Sequence, residues 1–303
     1  MIVAPAEPAP LGHTPVRDTS AVVHPPRSEW ALAWRQFRRH RLALAGLIVF
    51  TMLCSSAVVA GLSPYDPNRT SLLARFEAPS LVHPMGTDDL GRDEMTRVLI
   101  GGRISLLVGI TAMAVSIVVG TVIGSLAGYF GGRLDSILMR STEAFIAFPQ
   151  LFLLILLAAL VGTNLWTIVL VVGLLRWMPV ARLVRAAFLQ IKEQEYVTAA
   201  RTLGASTTTV MGRHILPNAL SPIIVAATLG VAGAILTEST LSFLGLGIQL
   251  PTATWGNMLR AAQNDMTTAP WLAFFPGLFI FLTILSVNYI GDGLRDALDP
   301  RKT

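Results

Sequence analysis

Few residues in this chain have the types and spacing to do chemistry. The most structured polar stretch is 193–217. Glu193 and Glu195 stand where a short helix would start, a position in which carboxylates favour the positive end of the helix dipole. Ala199, Ala200 and Leu203 follow at helical spacing as a small apolar face. Gly204 can take the left-handed conformation that ends a helix, Ser206 can cap the next one, and Pro217 is expected to stop that helix before the following apolar run. A short helix, a tight turn and a second helix have the shape of a docking element; a plain structural loop and a DNA-binding helix-turn-helix compete with it. The spacing of Ala200, Gly204 and Val210 fits the DNA-binding motif, but apolar runs lie close on both sides and would keep the segment out of a major groove.

Other candidate groups are sparser. His83, Asp88, Asp89 and Asp93 could suggest a metal, but they lack the alternating ligand order of a calcium loop, and a solvated, turn-rich loop with no metal is expected. Glu238 stands in an apolar run beside Ser239, Ser242 and Phe243; an acid at membrane depth faces protein or water, so it either lines a translocation path or outer gate, or braces the segment that follows. Arg176 poses the same question, and snorkelling to a nearby membrane surface is expected. The lysines are Lys192 and Lys302, and neither follows a phosphate-binding glycine loop, so this chain has no nucleotide site of its own. The lone Cys54 lies in an apolar run and is read as a small buried residue.

The surrounding elements belong to a membrane protein. Of 303 residues, 53% are hydrophobic and 14% are charged, against about a quarter charged in soluble domains. Apolar runs of about 20 residues are long enough to cross a bilayer. Six spans are expected, at 42–62, 105–129, 145–161, 165–180, 220–236 and 271–290, with the amphipathic stretch 134–144 continuing into the third. The fold class is therefore all-α and polytopic. Residues 1–28, with six prolines, read as a disordered cytoplasmic tail rather than a signal peptide. Residues 29–62 form a lead-in and the first span, 63–104 an extracytoplasmic loop, and 105–303 the core. Arginines 35, 38, 39 and 41 precede the first span, and Arg133, Arg140, Arg182, Arg185, Lys192, Arg201, Arg213 and Arg295 fall in alternate loops or after the last span, so both termini are expected in the cytoplasm. The net charge of +5 is thus topological, and no nucleic-acid partner is expected. Gly120, Gly124 and Gly128 recur every four residues and permit close helix approach, within the chain or with a second subunit.

The stretch Thr198-Ala199-Ala200, Gly204 four residues on, and His214-Ile215-Leu216-Pro217 resembles the EAA loop of permeases in binding-protein-dependent ABC importers. Thr198 stands where that family usually has Glu, and His214 where it usually has Ile; the steric fit needs neither. Further segments resemble the dipeptide, oligopeptide and nickel permeases, specifically their "C"-type component: 83–93, 102–106, 238–247, 255–259 and 291–300. The resemblance covers roughly 30–303. It implies a MetI-like transmembrane domain that is not itself an enzyme, in the bacterial plasma membrane. It also implies a second homologous permease, two cytoplasmic ATPases that bind ATP and Mg, and an extracytoplasmic binding protein. Coupling to the ATPases would fall to Glu195, Thr198, Ala199, Ala200, Arg201, Leu203, Gly204, Ala205, His214, Leu216 and Pro217. Peptide is the cargo the resemblance favours, with a nickel chelate as the alternative. Outside the resemblance, an ion-driven secondary transporter competes, though the two halves show no repeat.

Overall fold

The computed structural model describes residues 29–60 and 66–298. The proline-rich tail and the last residues of the expected first span lie outside them, as does the end of the chain from residue 299. The described residues are helical, with no strand; one isolated bridge joins Thr87 to Asp93. Helix α1 is Glu29–Phe37 and α2 is Arg41–Val59, with His40 capping it by accepting from the Ala43 N–H. From residue 66 onward come a short 3-10 turn, Leu72–Ala74, then α3, Glu94–Phe130, α4, Gly132–Ala147, α5, Gln150–Val161, α6, Leu165–Leu174, and α7, Trp177–Ile191. The short α8 is Glu195–Thr202. Then α9, Thr207–Thr209, runs through a π-helical turn, Val210–Ile215, into α10, Leu216–Phe243. The last helices of the described residues are α11, Trp255–Ala262, and α12, Trp271–Ala297.

Four helices are long and apolar enough to span a membrane: α2, α3, α9–α10 taken together, and α12. The expected count of six is reached only if two bent pairs each count as one span. The expected continuous helix over 134–161 is instead α4 and α5, bent by 88°. Pro149 separates them, and the residue before a proline is driven out of helical geometry; Phe148 is extended at φ −79°, ψ 137°. The expected fourth span divides into α6 and α7, bent by 43° at Leu175–Arg176.

Helix α3 starts eleven residues before the expected span, because Asp93 caps it: its carboxylate accepts from the Thr96 N–H at 2.8 Å and the Thr96 hydroxyl at 2.7 Å. At 37 residues it is about 55 Å long, well beyond the hydrocarbon core, and the rest of the molecule is assembled around it. Its glycines set the spacing to α7. A Cβ on Gly120 would stand 2.6 Å from Val180 Cβ, one on Gly124 2.8 Å from Val184 Cβ, and one on Gly128 2.7 Å from Phe188 Cβ. The glycine stripe is thus spent on packing inside the subunit. Ser116 adds a hydrogen bond from its hydroxyl to the Gly173 carbonyl at 2.8 Å. Gly109 receives Ile235 of α10 in the same way.

Replacing Gly124 by Val should therefore force α3 and α7 apart, at a cost of about 1–3 kcal/mol typical of overpacking. A lower thermal midpoint and lower yield in detergent would show it. Gly212→Ala, whose Cβ would meet nothing within 4 Å, should show neither.

Candidate coupling site

The 193–217 segment is built on the end of α7. Val180, Val184 and Phe188 are buried there, and the cluster they form takes in Val197 from α8, Val210 and Ile215 from the π turn, and Ala219 from α10. Val197 is the apolar peg that holds α8 down; burying one such side chain is worth about 1.5–3 kcal/mol. Two basic side chains tie the same region to the end of α3. Lys192 donates to the Gly128 carbonyl at 3.1 Å, and the Arg201 guanidinium lies 5.2 Å from the centre of the Tyr129 ring.

The turn after α8 is a Schellman motif. The Gly204 N–H donates to the Arg201 carbonyl at 3.0 Å, and the Ala205 N–H to the Ala200 carbonyl at 3.1 Å. This geometry needs a left-handed residue, and Gly204 sits at φ +84°. Ser206 then caps the next helix by accepting from the Thr209 N–H at 3.3 Å. Pro217 does not stop that helix. Lacking an N–H, it cannot complete a regular turn. The chain accommodates it with the π turn just before, in which the Leu216 N–H reaches back five residues to the Met211 carbonyl. Asn218 also donates to the His214 carbonyl at 2.7 Å.

The outward surface follows from this anchoring. Tyr196, Ala199 and Leu203 lie at i, i+3 and i+7 and are all exposed, Leu203 at 88%. Glu195, Thr198 and Arg201 are exposed beside them, whereas Ala200 and Ala205 are partly turned inward. The apolar face expected from Ala199, Ala200 and Leu203 is thus rotated toward Tyr196. His214 in the π turn and Leu216 at the start of α10 are half-buried, and Pro217 is exposed. A rigid stub of helix with an unsheltered leucine at its tip can insert into a cleft.

A second constellation lies toward the other end of α10. Glu238 is fully buried. It accepts from the Ser242 hydroxyl at 2.7 Å, the Ser105 hydroxyl at 3.2 Å and the Ser239 hydroxyl at 3.5 Å. Ser105 in turn accepts from the Trp255 N–H at 3.2 Å, so α3, α10 and α11 meet at one carboxyl group. Of the two readings of Glu238, the geometry is that of a brace. Glu238, Ser239 and Ser242 are sealed from solvent in this conformation, whereas Phe243 is 37% exposed.

The acidic loop is likewise not the solvated segment expected. Asp88, Arg92, Asp93, Glu94 and Arg97 are all buried. Asp88 accepts from Arg92 Nε at 2.6 Å and lies 3.6 Å from Arg97 Nε, and Asp93 lies 2.9 Å from His83 Nδ1. Buried charges persist only when paired and hydrogen-bonded, and the arginines fill that role. The sequence shows these residues but not that α3 extends among them. No grouping of His, Cys, Asp and Glu suited to a metal occurs among the described residues. Arg176 also departs from expectation: it does not snorkel to an end of the bundle but reaches sideways to Thr237 on α10, at 3.2 Å.

Residues 120–303 match the family model described as "Binding-protein-dependent transport system inner membrane component", and residues 28–79 match "N-terminal TM domain of oligopeptide transport permease C". The chain belongs to this transport family. It is 43% identical over 275 residues to the oligopeptide transport system permease protein OppC of Bacillus subtilis, covering 90% of both chains. It is 44% identical over 287 residues to the dipeptide transport system permease protein DppC of the same organism, covering 94% of this chain and 90% of that one. To the glutathione transport system permease protein GsiD of Pectobacterium atrosepticum it is 42% identical over 288 residues, covering 94% of each. Membership makes it a permease component of an ABC importer: a multi-pass protein of the bacterial inner membrane, not catalytic by itself, that works with other transporter components. The helix-turn-helix and ion-driven readings fall with it.

Proposed function

We propose that this permease component takes up di- or oligopeptides handed over by an extracytoplasmic binding protein. Its immediate partners are a second homologous permease and two cytoplasmic ATPases, which bind the ATP and Mg that this chain has no motif to hold. The observation that carries the peptide assignment is the match of residues 28–79 to a segment described for an oligopeptide permease, together with end-to-end similarity to relatives named for oligopeptide and dipeptide transport. Coupling falls to α8 and its turn, the outward apolar stub anchored to α3, α7 and α10. Nucleotide-driven closure of the ATPases would push α8, and α7 and α10 would move with it as one body between two packed states. The basic residues 133, 192, 201, 213 and 295 lie at or near the same ends of the helices as α8, which supports placing that end, and both termini, in the cytoplasm.

Gentle solubilisation with a C-terminal tag, followed by mass spectrometry, tests the partner set. A related permease and two ATPase chains should co-purify, and the reconstituted complex should accumulate labelled di- or tripeptide only with ATP and binding protein. Recovery of the chain alone, or accumulation without ATP, would refute the assignment.

A further inference from the structure

The guanidinium of Arg176 is a charge at membrane depth with a single, neutral hydrogen-bond partner. It stands at the break between α6 and α7, eleven residues from Leu165 and fifteen from Ile191. Along the helices that is about 17 and 23 Å; Arg182, the first basic residue toward the α8 end, lies six residues or about 9 Å further on, and the Arg176 side chain turns away from that end. The side chain crosses to α10. Its Nη1 donates to Thr237 Oγ1 at 3.2 Å, and the guanidinium lies over Gly233, where any Cβ would collide with it. None of the ion pairs among the described residues involves it. A guanidinium carries five N–H donors, and this one spends a single bond on a neutral hydroxyl.

Three further features sharpen the point. Arg176 stands between the C-terminus of α6 and the first turn of α7 and its side chain does not cap α7, so the two helix dipoles oppose one another there and supply no counter-charge equal to a carboxylate. Thr237 and the slot at Gly233 fix the planar fork without any anion, leaving its other donors available. Leu174 and Leu236, close in sequence to Arg176 and Thr237, are 47% and 52% exposed, and Arg176 itself is only half-buried. A charge at this depth is not left against acyl chains; it faces protein or a water-filled cavity. Broken helices at membrane depth are a recurring way to build a ligand site there. What the site lacks is a carboxylate, and every peptide with a free C-terminus brings one.

We propose that Arg176, held in place by Thr237, is a carboxylate-binding residue on the translocation path and receives the C-terminal carboxylate of the transported peptide. The proposal rests on the peptide-importer reading above. Such a contact is charge-assisted, bidentate in geometry and made in a partly dehydrated site, where arginine is favoured over lysine.

The test uses the whole complex in proteoliposomes with its binding protein, loaded to equal occupancy with a labelled tripeptide or with its C-terminal amide. Because delivery is the same for wild type and variant, the ratio of the two uptake rates isolates the permease. In Arg176→Gln this carboxylate-to-amide ratio should fall about tenfold, the size expected for a lost hydrogen-bonded charge contact. Arg176→Lys should give an intermediate ratio, and both variants should keep the full set of co-purified subunits. An unchanged ratio in Arg176→Gln, or equal loss of both substrates, overturns the proposal. So does loss of the second permease from the complex, which would assign the guanidinium to an acid of that partner. If the wild-type complex moves neither peptide, the importer reading itself fails, and the wild-type control shows it.

Discussion

Gly204→Trp is expected to abolish ATP-driven uptake while the subunit still folds, inserts and assembles with its companion permease. The residue sits at φ +84° and closes the Schellman turn of α8. A left-handed backbone costs a bulky residue about 1–2 kcal/mol, which the anchored turn can absorb. The larger effect is steric, and it appears only outside the subunit. A Cβ at 204 would meet nothing within 4 Å of this chain, so the indole would project beside the exposed Leu203, where the ATPase is proposed to dock. Losing about 1.4 kcal/mol of docking energy already weakens the contact tenfold, and a displaced helix loses more. Gly204→Ala separates the two contributions: it carries the backbone strain without the bulk and should keep most of its transport. The measurement is uptake and ATP hydrolysis side by side in proteoliposomes. Undiminished uptake in Gly204→Trp would remove α8 as the coupling element.

The turn at Gly204 was legible in the sequence because its determinants are local. Gly204, Ser206 and the flanking helix formers act within one turn of themselves, and the structure places a Schellman motif and a capped helix where they predict them. The helical class was legible for a similar reason, since apolar run length is a one-dimensional property. What escaped depends on contacts between distant elements. Val197 anchors α8 only because Phe188 and Ile215 arrive beside it. The charges at 88–97 look solvent-facing until α3 is seen to begin at Glu94 and to bring Arg97 beside Asp88. Pro149 lies inside the expected span 145–161, yet the amphipathic and apolar pattern over 134–161 predicts one continuous helix, whereas the chain turns by 88° there. Pro217 was misread the other way: a π turn lets the helix pass it. In both cases the residue type marks a break in the hydrogen-bond ladder, and packing decides whether the chain bends or continues.

Glu238→Ala should lower the stability of the subunit more than it changes the chemistry of any path. The carboxyl group accepts from three serine hydroxyls, on α3 and α10, and one of these, Ser105, also receives the backbone N–H that opens α11. Helix α11 is held there on its other side as well. The Trp255 indole donates to the Val98 carbonyl at 2.9 Å and lies over Gly102, where a Cβ would stand 2.7 Å from the ring. Removing the carboxyl group orphans hydroxyls that no solvent reaches, at about 1–3 kcal/mol for each one left unsatisfied. Relaxation of the hydroxyls toward nearby carbonyls offsets part of this, so a net loss of about 2–4 kcal/mol is expected, a large share of a typical domain's stability. Glu238→Gln keeps the shape and one strong acceptor, and serine hydroxyls can turn to accept from the amide, so it should lose much less. Thermal unfolding of the purified subunit in detergent, with proteolysis at 244–254 as a probe of α11, reads both. A stabilising network predicts the order wild type, then Gln, then Ala in midpoint, with early cleavage only in Ala. Equal midpoints for all three, with uptake lost in Ala, would instead return Glu238 to the translocation path and imply that this end of α10 opens during transport.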